Sequence, residues 1–121
     1  MRFSPFLLLL ACDSGRIQAE CEDMCLAGTL LYGACLQDWG LDWSAVGYEG
    51  AQGHLDACRT WSWEQSIFEK EALKNGLIET SGWLENTCEQ GAQLFQNPEA
   101  SCNDYTGFSW LIFPGVEEAS L

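Results

Sequence analysis

Apolar positions recur at helical spacing in three stretches of the chain, separated by glycine, asparagine and proline. In the first, about Gln18 to Trp39, Cys21, Cys25, Gly28, Tyr32, Cys35 and Trp39 follow at alternating steps of four and three. That spacing draws one stripe along a helix. Glu20, Glu22 and Asp23 fall in its opening turns, where carboxylates complement the helix dipole, and Gly40 supplies a stop. A loop follows over 40–53, rich in glycine and aromatic residues; its four glycines argue against a continuous helix. The second stretch, about His54 to Lys74, sets Leu55, Cys58, Trp61, Phe68 and Ala72 on one side. Within it Ser62-Trp63-Glu64-Gln65 reads as a capping box, so a break and restart is expected near Ser62. Asn75-Gly76 ends it.

The third stretch spans about Leu77 to Gln96, carries Leu77, Leu84, Cys88 and Phe95, and stops at Asn97-Pro98. Beyond it, Cys102 and the run Tyr105 to Phe113 are expected as an apolar tail, with Trp110-Leu111-Ile112-Phe113 extended across the bundle and 114–121 fraying. The pattern predicts an all-α fold: a small disulfide-stapled bundle of about three helices over 18–113, with a Gly/Trp-rich loop and an irregular apolar C-terminal tail.

Composition narrows the classes. A length of 121 residues fits one domain. The net charge of −13 argues against a nucleic-acid partner, because phosphate binding favours a basic surface. Seven cysteines in so short a chain point to an oxidising compartment.

The odd number is resolved at the amino terminus. One charge, Arg2, precedes the apolar run Phe6 to Leu10, then come Ala11 and Cys12. This is the order of an export signal, too short to span a bilayer. Leu9-Leu10-Ala11-Cys12 resembles the lipobox of bacterial lipoproteins. The resemblance implies a signal peptide over 1–11, cleavage before Cys12, acyl chains such as palmitate on Cys12, and a short tether over 12–17. It also implies a place in the bacterial cell envelope, anchored to a membrane through that lipid and facing the periplasm or exterior. Removal of 1–11 takes away Arg2 alone among the charged side chains, moving the net charge from −13 to −14.

Six cysteines then remain for bridges: Cys21, Cys25, Cys35, Cys58, Cys88 and Cys102. They allow fifteen connectivities. At about 100° per residue, Cys25 and Cys35 lie roughly 40° to either side of Cys21, so all three face the same partners. An antiparallel second helix then predicts Cys35–Cys58, a parallel third predicts Cys25–Cys88, and a returning tail leaves Cys21–Cys102. A competing reading takes Cys21, Cys25, His54 and Cys58 as a tetrahedral zinc site, since both pairs have the i,i+4 spacing of helix chelation.

Catalytic signatures are sparse. There is no G-x-S-x-G elbow, no Walker loop, no H-E-x-x-H and no C-x-x-C. His54 is the single histidine, and at a helix start it reads as a surface or capping residue. No enzyme and no cofactor are expected. Trp39, Asp42 and Trp43 in the acidic, aromatic loop are the candidate ligand contacts, suited to a cationic protein, a peptide or a carbohydrate. The expected function is a lipid-anchored binding or envelope-structural module. The alternatives are a freely secreted effector or inhibitor, a small zinc-binding domain, and a hydrolase using His54.

Overall fold

The computed structural model describes residues 17–78 and 81–108. Among the described residues four helices follow one another: α1 (Ala19–Asp38), α2 (Ala51–Lys74), α3 (Trp83–Gln96) and the short α4 (Cys102–Thr106), with a 3-10 turn (Trp43–Val46) before α2. No strand occurs among the described residues. The fold is an all-α bundle stapled by three disulfides.

The first two helices end where glycine allows it. Gly40 and Gly76 take left-handed φ values of 72° and 89°, conformations that cost an L side chain but not glycine. At each stop two backbone bonds close the last turn: Leu41 N–H to the Leu36 carbonyl and Gly40 N–H to Gln37, then Leu77 N–H to Ala72 and Gly76 N–H to Leu73. These are Schellman closures that satisfy otherwise orphaned carbonyls.

Three elements depart from the sequence expectation. The second helix starts at Ala51 and runs unbroken through Ser62. The Ser62 hydroxyl donates to the Cys58 carbonyl at 3.0 Å, so it is spent inside the helix and caps nothing. The third helix starts at Trp83, not Leu77, because Gly82 stands before it at φ 76°. Its opening N–H groups are met partly from another helix: the buried Glu69 carboxylate of α2 accepts from Leu84 N–H at 3.5 Å. The tail, expected to be irregular, begins instead with α4. Ser101 and Asp104 complete a reciprocal capping box there, with Ser101 N–H donating to Asp104 Oδ2 at 2.8 Å. Trp110–Phe113, the expected signal segment 1–11, Cys12 and 114–121 lie outside the described residues. Ile17, assigned to the tether, packs against the core.

All six remaining cysteines are bridged, but in a different pairing from the one expected. The bonds are Cys21–Cys88, Cys25–Cys58 and Cys35–Cys102, with Cα–Cα distances of 4.7, 5.6 and 5.7 Å. The loop explains the first error. It folds back along α1, so that a Cβ on Gly33 would lie 3.1 Å from the Trp43 ring. α2 therefore begins well below the top of α1 and meets Cys25, not Cys35, with Cys58. The antiparallel register is confirmed above and below: Thr29 bonds His54, and Glu22 takes a two-point hydrogen bond from Arg59.

The second error lies in the direction of the chain's end. α3 does run parallel to α1, with Cys21 against Cys88, Met24 against Gly91 and Gly28 against Phe95. After Asn97 the chain continues in that direction instead of returning. Cys102 is carried up to Cys35, and the two bridges share a sequence separation of 67.

The core is small and sulfur-rich. Met24, Leu84, Phe95 and Tyr105 pack with the half-cystines Cys21, Cys25, Cys58 and Cys88. Each bridge contributes roughly 2–4 kcal/mol by restricting the unfolded chain. Close approach of α1 and α3 depends on glycine: a Cβ on Gly91 would sit 2.6 Å from Met24 Sδ and 3.0 Å from Phe108. Met24 is wholly buried, so any shift away from a new Cβ must be made within the packed core.

Gly91→Ala is therefore expected to lose about 1 kcal/mol, since overpacking of about 1–3 kcal/mol exceeds the gain in helix propensity of about 1 kcal/mol. Gly53→Ala, whose Cβ would meet nothing nearer than Tyr48 Cβ at 3.9 Å, is expected to gain about 0.5–1 kcal/mol. Denaturant unfolding of the oxidised variants measures both, and the two shifts must have opposite signs.

Candidate functional site

The face that α2 turns inward only partly matches the apolar side expected from its sequence: Cys58 and Ala72 are buried, and Leu55 and Trp61 pack at the edge of the core. Leu55, Trp61 and Phe68 are only half-buried, while His54, Cys58, Ser62, Gln65, Glu69 and Ala72 form the buried seam. The Cys25–Cys58 bridge fixes this rotation, and one turn earlier along α2 it draws His54 into the interior.

His54 is 4% exposed, not a surface or capping residue. It ties three helices together. Thr29 Oγ1 of α1 lies 2.7 Å from its Nδ1, and the Tyr105 hydroxyl of α4 lies 2.6 Å from its Nε2. A neutral imidazole donates at one nitrogen and accepts at the other, and a hydroxyl can serve either role, so both contacts are satisfied. Around the ring stand Tyr48 at 5.0 Å, Trp43 at 5.2 Å and Tyr32 at 5.5 Å between centroids. Tyr32 in turn stacks on Tyr105 at 4.5 Å. Burial pushes the His54 pKa below its ordinary value. Burial, with Tyr48 and Tyr32 adjoining, pushes the Tyr105 hydroxyl well above the usual phenol range. Both groups are held neutral at physiological pH.

Beside this cluster opens a cleft of about 450 Å³, lined chiefly by Tyr32, Tyr48, His54, Trp61 and Tyr105. Its volume falls within the range of small-molecule sites, roughly 300–1,000 Å³. No Asp, Glu, Lys or Arg lines it. Tyr48 is also a wall of a neighbouring depression that carries Glu49 and Asp56. An uncharged aromatic recess thus adjoins an acidic lip.

The residues proposed from sequence are only partly brought together. Trp39 is exposed at the end of α1 and lines no part of this cleft. Asp42 caps the 3-10 turn, accepting from the Ser44 hydroxyl at 2.7 Å and from Ala45 N–H at 3.1 Å, and these bonds lower its pKa. Trp43 packs edge-on against Tyr32 and supports the His54 ring. Asp42 and Trp43 share a separate groove of about 490 Å³ with Leu30 and Leu41. The zinc arrangement is overturned: Cys21 and Cys25 bond to Cys88 and Cys58, and both His54 nitrogens face hydroxyls. Among the described residues no group of three or more His, Cys, Asp and Glu converges as a metal site. Tyr32, Tyr48, Trp61 and Tyr105 were missed. Tyr32 and Trp61 carried a signal, on the α1 and α2 stripes; Tyr48 and Tyr105 meet His54 only through the folded loop and the rising α4.

No family model, curated protein or solved structure matches the chain.

A buried neutral histidine makes stability depend on pH with a definite sign. The unfolded chain binds a proton near pH 6.5 and the folded one only at lower pH, so the unfolded state holds more protons between those two values. The contribution is complete above pH 6.5 and declines as pH falls through that window. Thermal unfolding of wild type and His54→Gln from pH 8 to 5 is expected to show a wild-type advantage that narrows below about 6.5. Carboxylate titration, common to both proteins, cancels in the difference. A constant difference over that range would contradict a neutral His54.

Proposed function

We propose that the chain is an exported, lipid-anchored acidic binding module with no catalytic role. In this reading it is held at the bacterial cell envelope through acyl chains on Cys12 and exposed to the periplasm or exterior. The observation that carries it is the pairing of the cysteines. All six among the described residues are consumed two by two, a pattern that belongs to an oxidising compartment. The seventh, Cys12, is left outside those bridges, and it stands where the lipobox resemblance puts the lipidated residue. No described helix is long and apolar enough to cross a membrane, so the hold on a bilayer would come from the two or three acyl chains of a lipoprotein.

The aromatic cleft is the binding element of this reading, replacing the Trp39, Asp42 and Trp43 constellation. His54 serves it as a wall and a brace, since both ring nitrogens are already engaged within the fold. A rigid scaffold with a preformed, uncharged recess suits ligand capture more than proton transfer.

Intact mass of the native protein before and after reduction tests the anchor. The expected result is a chain beginning at Cys12 with added acyl mass, gaining on reduction the six hydrogens of three bridges. Cys12→Ser should leave the protein soluble while wild type sediments with membranes. A mature protein with an unmodified Cys12, soluble in both forms, would instead mark a freely secreted protein and overturn the anchor.

A further inference from the structure

We propose that the cleft beside His54 binds a small organic cation of the alkylated ammonium type. The inference rests on the binding-module reading and names the ligand class of that site. Four ring systems besides His54, those of Tyr32, Tyr48, Trp61 and Tyr105, contribute to a recess of about 450 Å³ that contains no ionised side chain. A lining of this kind solvates an alkylated ammonium through ring quadrupoles, at little cost to a cation that is weakly hydrated. An anion would meet the same rings unfavourably, and nothing in the lining offers it a positive partner.

Charge outside the recess has the matching sign. The chain carries −13 overall, a field that concentrates cations near the surface. Glu49 and Asp56 stand in the adjoining depression across Tyr48. Asp56 is partly engaged, accepting from Gln52 at 2.9 Å and lying 3.6 Å from Arg59. Glu49 is exposed and is the better electrostatic guide. His54 and Tyr105, both held neutral, keep the floor of the recess uncharged.

Titration calorimetry on the oxidised full-length chain tests this with choline chloride against 3,3-dimethylbutanol, its uncharged isostere. Choline is expected to bind at least about tenfold more tightly than the alcohol, and more weakly as salt rises, because the acidic field is screened. Tyr48→Ala and Trp61→Ala should each weaken choline by roughly threefold to tenfold, while Tyr48→Phe, which keeps the ring, should retain it. Unchanged disulfide content and far-UV dichroism establish that the variants are folded. Glu49→Gln should weaken binding and flatten its salt dependence. Vesicles of phosphatidylcholine against phosphatidylethanolamine, both without net charge and offered to the Cys12→Ser protein so that no acyl anchor contributes, distinguish the two sources of such a cation: preferential binding to the former marks a lipid headgroup, and choline binding alone marks a free solute. No binding of choline in either form, equal affinity for the alcohol, or indifference to both aromatic variants would overturn the proposal. Those results would leave the membrane behaviour of Cys12→Ser untouched, so failure of the ligand and failure of the anchor are told apart.

Discussion

Every covalent staple in this domain starts on one helix. Cys21, Cys25 and Cys35 lie along the same stripe of α1, and they reach α3, α2 and α4 in turn. The remaining helices are therefore positioned by α1 more than by one another. This matters because the apolar core is small and α2 offers it a largely polar seam. Hydrophobic burial alone would favour turning Leu55, Trp61 and Phe68 inward. The Cys25–Cys58 bond selects a different rotation, which buries polar groups that need partners inside the fold; Gln65 Oε1 is buried without one, whereas two others find theirs. His54 does so through Thr29 and Tyr105, and Ser62 through the Cys58 carbonyl.

The candidate site follows from the same constraint. Cys58 at Cys25 places His54 one turn along, opposite Thr29. Cys102 at Cys35 brings Tyr105 onto the other side of the imidazole and under Tyr32. The loop completes the enclosure by folding Trp43 and Tyr48 against the ring. Apart from Tyr48 against His54, which are near neighbours in the chain, these contacts are distant in sequence and depend on a bridge or on the path of the loop. A recess built this way is preorganised, since apart from Val46 and Tyr48 its walls belong to three helices that cannot drift apart without breaking a covalent bond.

Much of the secondary structure was legible beforehand. The stripe of α1, the stops at Gly40 and Gly76, the end of α3 at Asn97 and the six bridging cysteines all rest on short-range chemistry. Three kinds of information were not. Ser62-Trp63-Glu64-Gln65 has the composition of a capping box, and only burial of the hydroxyl decides that it serves the helix interior. The parallel course of α3 was readable, yet its register and the onward path of α4 depend on loop geometry that periodicity does not encode. The burial of His54 was hidden because it depends on which cysteine Cys58 meets. In the cysteine pairing one wrong bond shifts all the others, so the sequence showed which residues bridge and the fold decided how.

The central claim is that these three bonds from α1 set the register that builds the site. Proteolytic mapping of the unreduced native protein measures it most directly. The account predicts linked peptides containing Cys21 with Cys88, Cys25 with Cys58, and Cys35 with Cys102. Recovery of Cys35 linked to Cys58 would contradict it, because that bond would lift α2 along α1 and separate His54 from both Thr29 and Tyr105.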